Sequence, residues 1–228
     1  MICLTVLNPE KIYREIINYK GYDDCYGKKF NEKFSDKKTS PIAFRQESCS
    51  VMVISEQPLE NAEALEKRII NRDFGKGRLP NVLNELFCGK FFKEFREKIY
   101  WTHYVKCYGK LRGREAPLKV KEKACADRFL LKEMEVFKPR LIITVGSKAS
   151  GYVLKDIPKR LGLEIEFKDW RELFWRELVA VARSETLELP EIYGAKIFAL
   201  AHPSGANPLK YFNEKLKPII KQLLEIYL

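Results

Sequence analysis

The sequence predicts an α/β fold, a three-layer α/β/α sandwich around a central four-stranded, mainly parallel sheet. Three observations carry that expectation. Short apolar runs rich in β-branched and aromatic residues recur at 50–55, 98–105, 140–147 and 195–204. The segments between them repeat apolar residues at helical spacing. Most of the runs are continuously apolar instead of alternating, as in strands buried on both faces, and strands joined by helical crossovers lie parallel.

Each element follows in order. PEKIYREIINY (9–19) has a helical apolar period, with Pro9 near its start. SVMVIS (50–55) is the first buried strand. LENAEALEKRII (59–70) and LPNVLNELFCGKFFKEF (79–95) read as helices, and KIYWTHYV (98–105) as the second strand. LKVKEKACADRFLLKEMEVF (118–137) is a helix closed by Lys138 and Pro139. RLIITVGS (140–147) is the third strand, with a helix from Lys148 onward. Segment 161–193 reads as an excursion of short strands. AKIFALAHPS (195–204) is the fourth strand and PLKYFNEKLKPIIKQLLEIY (208–227) a closing helix. No repeat, low-complexity tract or linker interrupts the pattern, so residues 1–228 read as one domain.

Composition narrows the function. With 228 residues, 46% apolar and 32% charged, the chain is globular and large enough to bury a core without disulfide staples. Its 42 Lys and Arg exceed its 31 Asp and Glu, for a net charge of +11. Such a surplus attracts polyanions, nucleic acid foremost. A Lys- and Glu-rich surface suited to high temperature accounts for abundant charge but not for its imbalance. The N-terminus has no signal-peptide pattern and no stretch has the length of a membrane span, so a cytoplasmic protein is expected. Six cysteines in a cytosolic chain leave metal or cluster ligation, core burial or, in a hyperthermophile, disulfides as readings.

In a parallel sheet the site lies where the strands' carboxyl ends meet. Those ends read SEQP, VKCYGKLRGRE, VGSKAS and AHPSGAN, so Glu56 and His202 are expected to share one crevice. Glu56 has two readings: a carboxylate with a chemical task, or a cap for the following helix. Phe74, judged by residue type, reads as core, and the basic run 106–114 reads as solvated surface, as most charge runs do, with phosphate contact the alternative.

In this order, the strand-end motifs resemble the uracil-DNA glycosylase superfamily, nearest its iron–sulfur-containing thermophilic branch, from about residue 9 to the end. Ser55-Glu56-Gln57-Pro58-Leu59 matches a Gly-Glu-Ala-Pro-Gly motif, and Asp73-Phe74-Gly75-Lys76-Gly77-Arg78 loosely matches Pro-Phe-x-Gly-Arg. Thr102-His103-Tyr104-Val105-Lys106-Cys107 matches Thr-Asn-x-Val-Lys-Cys. Lys138-Pro139-Arg140-Leu141-Ile142 through Gly146 matches the next strand, and His202-Pro203-Ser204 the last motif.

The resemblance implies excision of uracil or another deaminated base from DNA by hydrolysis of the N-glycosidic bond, with a catalytically weakened DNA-binding relative as the alternative. It implies Glu56 and His202 as catalytic, and Gln57, Phe74, His103 and Ser204 as base-recognition residues. It further implies Lys106, Lys110, Arg112, Arg114, Lys148, Asn207 and Leu209 on DNA. It also implies a structural 4Fe–4S cluster on Cys25, Cys107, Cys125 and Cys3, with Cys49 a weaker fourth ligand, in a monomer. Three departures stand out: Ser55 and Leu59 replace both motif glycines, His103 replaces the Asn, and 108–117 lacks the histidine of the basic loop by which a mycobacterial branch is covalently trapped on uracil.

Overall fold

The computed structural model describes residues 8–20, 41, 43–45, 49–56, 69–70, 81, 84–85, 98–107, 123–163 and 189–200. Helix α1 (Pro9–Ile17) starts where expected. The Asn8 side chain accepts from the Lys11 amide at 2.8 Å, and Pro9 fills the first turn, where no amide donor is needed. Ile12, Tyr13 and Ile16, at helical spacing, form its buried stripe. Helix α2 (Lys123–Phe137) buries Cys125, Ala126, Phe129, Leu130, Glu133, Met134 and Phe137 along one side. It ends at Lys138, whose φ of 45° closes the helix just before Pro139.

The four predicted strands are present as β2 (Val51–Ser55), β4 (Ile99–His103), β5 (Leu141–Val145) and β7 (Ala195–Leu200). They lie side by side in the order β4-β2-β5-β7, each pair parallel. The sheet has five strands, not four. The fifth, β6 (Glu191–Ile192), turns back antiparallel onto β7 through Tyr193 and Gly194, both at positive φ. It falls inside the segment expected to hold short strands; residues 164–188 of that segment lie outside the described residues. Two further two-residue strands, β1 (Ala43–Phe44) and β3 (Ile69–Ile70), pair in parallel apart from the main sheet. The expected helix over 59–70 therefore does not reach its last two residues. Its earlier part and the closing helix 208–227 lie outside the described residues. Of the expected helix 79–95, Asn81, Asn84 and Glu85 are described and helical.

Register settles which side chains share a face. Met52, Ile54, Tyr100, Thr102, Ile142 and Thr144 share one side of the sheet. There Tyr100 stacks on Phe137 of α2 with ring centroids 4.0 Å apart. Val51, Val53, Ser55, Trp101, His103 and Ile143 share the other. Every residue of β2, β4 and β5 is buried. Both faces are thus covered, as a three-layer α/β fold requires.

After β5 the chain turns through Gly146, at φ 90° and ψ 163°, a conformation that in practice only glycine adopts. Helices α3 (Ser147–Gly151) and α4 (Ile157–Leu161) follow, joined by a π-helical turn at Tyr152–Asp156. Pro158, just beyond, has no amide to donate to Leu154, which accounts for the loosened ladder. Tyr152 and Arg160 both bond Asp127 of α2, at 2.9 and 2.6 Å, docking this helical run beside α2.

Candidate functional site

Strand order locates the crevice. From β2 the chain goes to β4 on one side; from β5 it goes to β7 on the other. Neighbouring strands whose connections diverge leave a gap at their carboxyl ends, where ligands of parallel sheets bind. Glu56 is the residue after β2, and Lys148 lies in the first turn after β5. Their side chains meet across this gap, Lys148 Nζ to Glu56 Oε1 at 2.8 Å, with 40% and 37% of each side chain exposed. Two residues singled out from different strand ends are therefore joined at the switch point.

The end of β4 completes the rim. His103 pairs with Ser55 across β2 and β4 and is 4% exposed. Burial, then the positive charge of Lys106, holds its pKa well below 6.5, so the imidazole is neutral at pH 7. Beside it Trp101 Nε1 donates to the Ser55 hydroxyl at 2.9 Å. Ser55 Oγ in turn donates to the Thr102 carbonyl at 3.4 Å. The serine that replaces the motif glycine is thus a buried cross-strand link.

Lys106 corrects an expectation. Its ammonium holds no phosphate: the side chain is 1% exposed, and Nζ lies 2.5 Å from Glu133 Oε2. It also donates to the Thr102 hydroxyl. Burial lowers its pKa from 10.5, while Glu133 acts in the opposite direction. Glu133 Oε1 accepts from Tyr100 Oη at 2.6 Å and Thr102 Oγ1 at 2.8 Å. Reading the sequence missed Glu133, although a carboxylate in phase with Ala126, Phe129, Leu130 and Phe137 signals a buried charge needing a partner.

Cys107 and Cys125 come together, both fully buried, with Sγ atoms 3.9 Å apart. Cys125 is disulfide-bonded. Cys49 is not part of a disulfide. Cys49 precedes β2, whereas Cys107 follows the parallel strand β4, which puts them at opposite ends of these adjacent strands. Cys49 is accordingly no companion of Cys107. Its thiol lies 3.9 Å from the Phe137 carbonyl, and its pKa is pushed up to about 12, chiefly by burial. Cys3, Cys25, Gln57, Phe74, Lys110, Arg112, Arg114, His202, Ser204, Asn207 and Leu209 lie outside the described residues.

These features define an α/β protein with a half-exposed ion pair at the switch point of a parallel sheet. The family model for the uracil DNA glycosylase superfamily matches residues 43–224. The chain belongs to that superfamily, and the match spans all four parallel strands and both residues of the Glu56–Lys148 pair.

Proposed function

We propose that the chain is a monofunctional DNA glycosylase that removes uracil or another deaminated base by hydrolysing its N-glycosidic bond. The observation that carries this reading is the Glu56 carboxylate held at the switch-point crevice by Lys148, 2.8 Å away, in a chain of this superfamily. Excision takes the base out of the stack, then breaks its bond to a sugar that becomes oxocarbenium-like while the base gathers negative charge. Glu56 suits the sugar side, orienting water and balancing the cation. His202 is assigned to the departing base as hydrogen-bond donor, a kind of contact worth ~2.7–4 kcal/mol of barrier. The net charge of +11 suits a DNA partner. Release of labelled base from oligonucleotides carrying uracil, hypoxanthine, xanthine or a thymine mismatch tests the reading; no release from any of them sinks it.

A second reading, a DNA-binding relative with weakened catalysis, is favoured by Ser55 and His103. Ser55 puts a side chain where the resembled motif has glycine. Neutral imidazole offers its donor and acceptor on opposite sides of a ring, so it cannot make the paired contact of an amide. His103→Asn assayed on uracil in single-stranded DNA separates the two. A gain in release assigns His103 to base reading; robust wild-type release that Asn leaves unchanged removes it from that role.

The proposal includes the iron–sulfur branch and a 4Fe–4S cluster on Cys25, Cys107, Cys125 and Cys3. Two buried cysteine sulfurs at 3.9 Å, one on the β4 exit and one on α2, support it. Bound there, the cluster would tie loop to helix as a structural group. A disulfide at Cys125 uses a thiol the cluster needs, so the two are alternative states of that residue. Protein purified without oxygen is expected to be brown, with iron and sulfide, and Cys107→Ser to bleach it. A colourless, iron-free, fully folded wild type refutes this part.

A further inference from the structure

We propose that the buried Lys106–Glu133 pair is a positioning device: it locks the turn after β4 and, through that turn, sets the Glu56 backbone and the His103 side chain at the strand exits. Its catalytic half rests on the glycosylase reading above. Thr102 and Lys106 lie at the two ends of a five-residue stretch, and both bond the one carboxylate of Glu133, at 2.8 and 2.5 Å. Lys106 also bonds Thr102, so the stretch is closed into a ring of three polar groups. Between these anchors the backbone donates outward. The Tyr104 amide gives to the Ser55 carbonyl at 2.8 Å, and the Val105 amide to the Glu56 carbonyl at 2.9 Å.

The two sets of bonds act together. The β2 exit, which carries Glu56, hangs on amides whose place is set by the anchors on α2. His103 sits inside the same stretch, next to the anchored Thr102, with its side chain on the opposite face of the sheet from Glu133. None of the bonds described at the pair reaches the Glu56 or His103 side chain, so it acts on them through the backbone. Burying two charges is costly, and an apolar pair would serve packing as well or better. What a salt bridge supplies and an apolar pair does not is a directional anchor at a single point.

The test removes the anchor while keeping the fold. Lys106→Met with Glu133→Gln leaves no buried unpaired charge, and the Gln carbonyl still accepts from Tyr100 and Thr102. Thr102→Val, which cuts one strut and keeps the side chain's shape, is the second variant should the first fail to fold. The chain has two histidines, so a histidine-selective NMR spectrum at fixed pH gives one signal for each, assigned with His202→Gln. The His103 signal is expected to move while that of His202 stays. Single-turnover base release is expected to fall about ten- to a hundred-fold, with oligonucleotide Kd held within about two-fold, as for a catalytic group misplaced by a fraction of an ångström. An unmoved His103 signal in a folded variant overturns the proposal, whether or not the wild type releases a base. A moved signal with an undiminished rate overturns the catalytic half. If the wild type releases no base at all, the glycosylase reading fails alone, and the His103 signal still decides the positioning.

Discussion

Two lysine–glutamate pairs lie within a few residues of the same strand exits, and they live in opposite environments. Lys106–Glu133 is 1% and 0% exposed, with further bonds from Tyr100 and Thr102 to the same carboxylate. Lys148–Glu56 is about 40% exposed at each partner and links two neighbouring strand exits. The chemistry is one; the solvent is not. In the interior, desolvation makes each charge depend on the other, so the pair behaves as structure. At the rim, water screens the attraction, and the carboxylate remains available to a ligand. Position in the fold, not residue type, separates a tie from a tool.

The largest expected effect tests the buried side of that contrast. Lys106→Met alone or Glu133→Leu alone leaves a charge or hydroxyls buried without a partner and should cost ~3–5 kcal/mol of stability. Joint replacement by Met and Gln should recover most of it. Denaturant unfolding with a common slope checks this. A single variant as stable as the wild type would show that Lys106 reaches water, contrary to its burial.

How much of this was legible beforehand follows the same division. The four parallel strands were readable because continuous apolar runs such as Val51–Ile54 and Leu141–Ile143 leave few other choices. The two-residue strands were not, since two residues carry no period; Ile69–Ile70 also continues the pattern of the helix predicted over 59–70. Glu56 was placed at a strand exit by the rule that such exits converge in a parallel sheet, but with His202 as its expected neighbour; the pairing with Lys148 was not foreseen. Lys106 was misplaced because a lysine in a basic loop reads as surface. Only the register that sets Thr102 and Tyr100 against α2 reveals the carboxylate waiting for it. The Cys107–Cys125 proximity was anticipated from a resemblance; spacing alone does not bring residues on a loop and a helix together.

At the rim the expected effect is on rate. Glu56→Gln keeps the shape of the side chain and removes its charge, so unfolding free energy should change little while single-turnover base release falls ~10²-fold or more. Unchanged release would leave Glu56 as a helix-capping residue and erase the functional side of the contrast.

His103 stands between the two environments, buried like Glu133 yet at the strand exits like Glu56, and it sharpens the comparison through pH. Its folded pKa is depressed below 6.5, so between those values the unfolded chain binds the extra proton. Stability from this residue is therefore intact above about pH 6.5 and lost as pH falls below it, at up to ~1.4 kcal/mol per pH unit until the folded pKa is reached. His103→Asn should flatten the dependence of unfolding free energy over that window relative to the wild type. An equal slope in both proteins would show that His103 takes up its proton in the folded state as readily as in the unfolded one.

The smallest expected effect belongs to Lys148→Met, and its smallness is the point. Two terms oppose each other. Loss of the half-exposed bond to Glu56 removes ~0–1 kcal/mol. Lys148 is the second residue of the continuous helical run from Ser147 to Leu161, so loss of its cation relieves an unfavourable interaction with the positive end of that run, worth ~0.3–1 kcal/mol. They nearly cancel, so the unfolding free energy should stay within about 1 kcal/mol of the wild type. Added salt should change it little, because both terms are screened together. The rate need not cancel: without Lys148, Glu56 loses a group that holds its carboxylate at the gap, and base release should slow while the fold stands. If instead Lys148→Met destabilises as severely as Lys106→Met, the rim pair is part of the core, and exposure does not distinguish the two lysines.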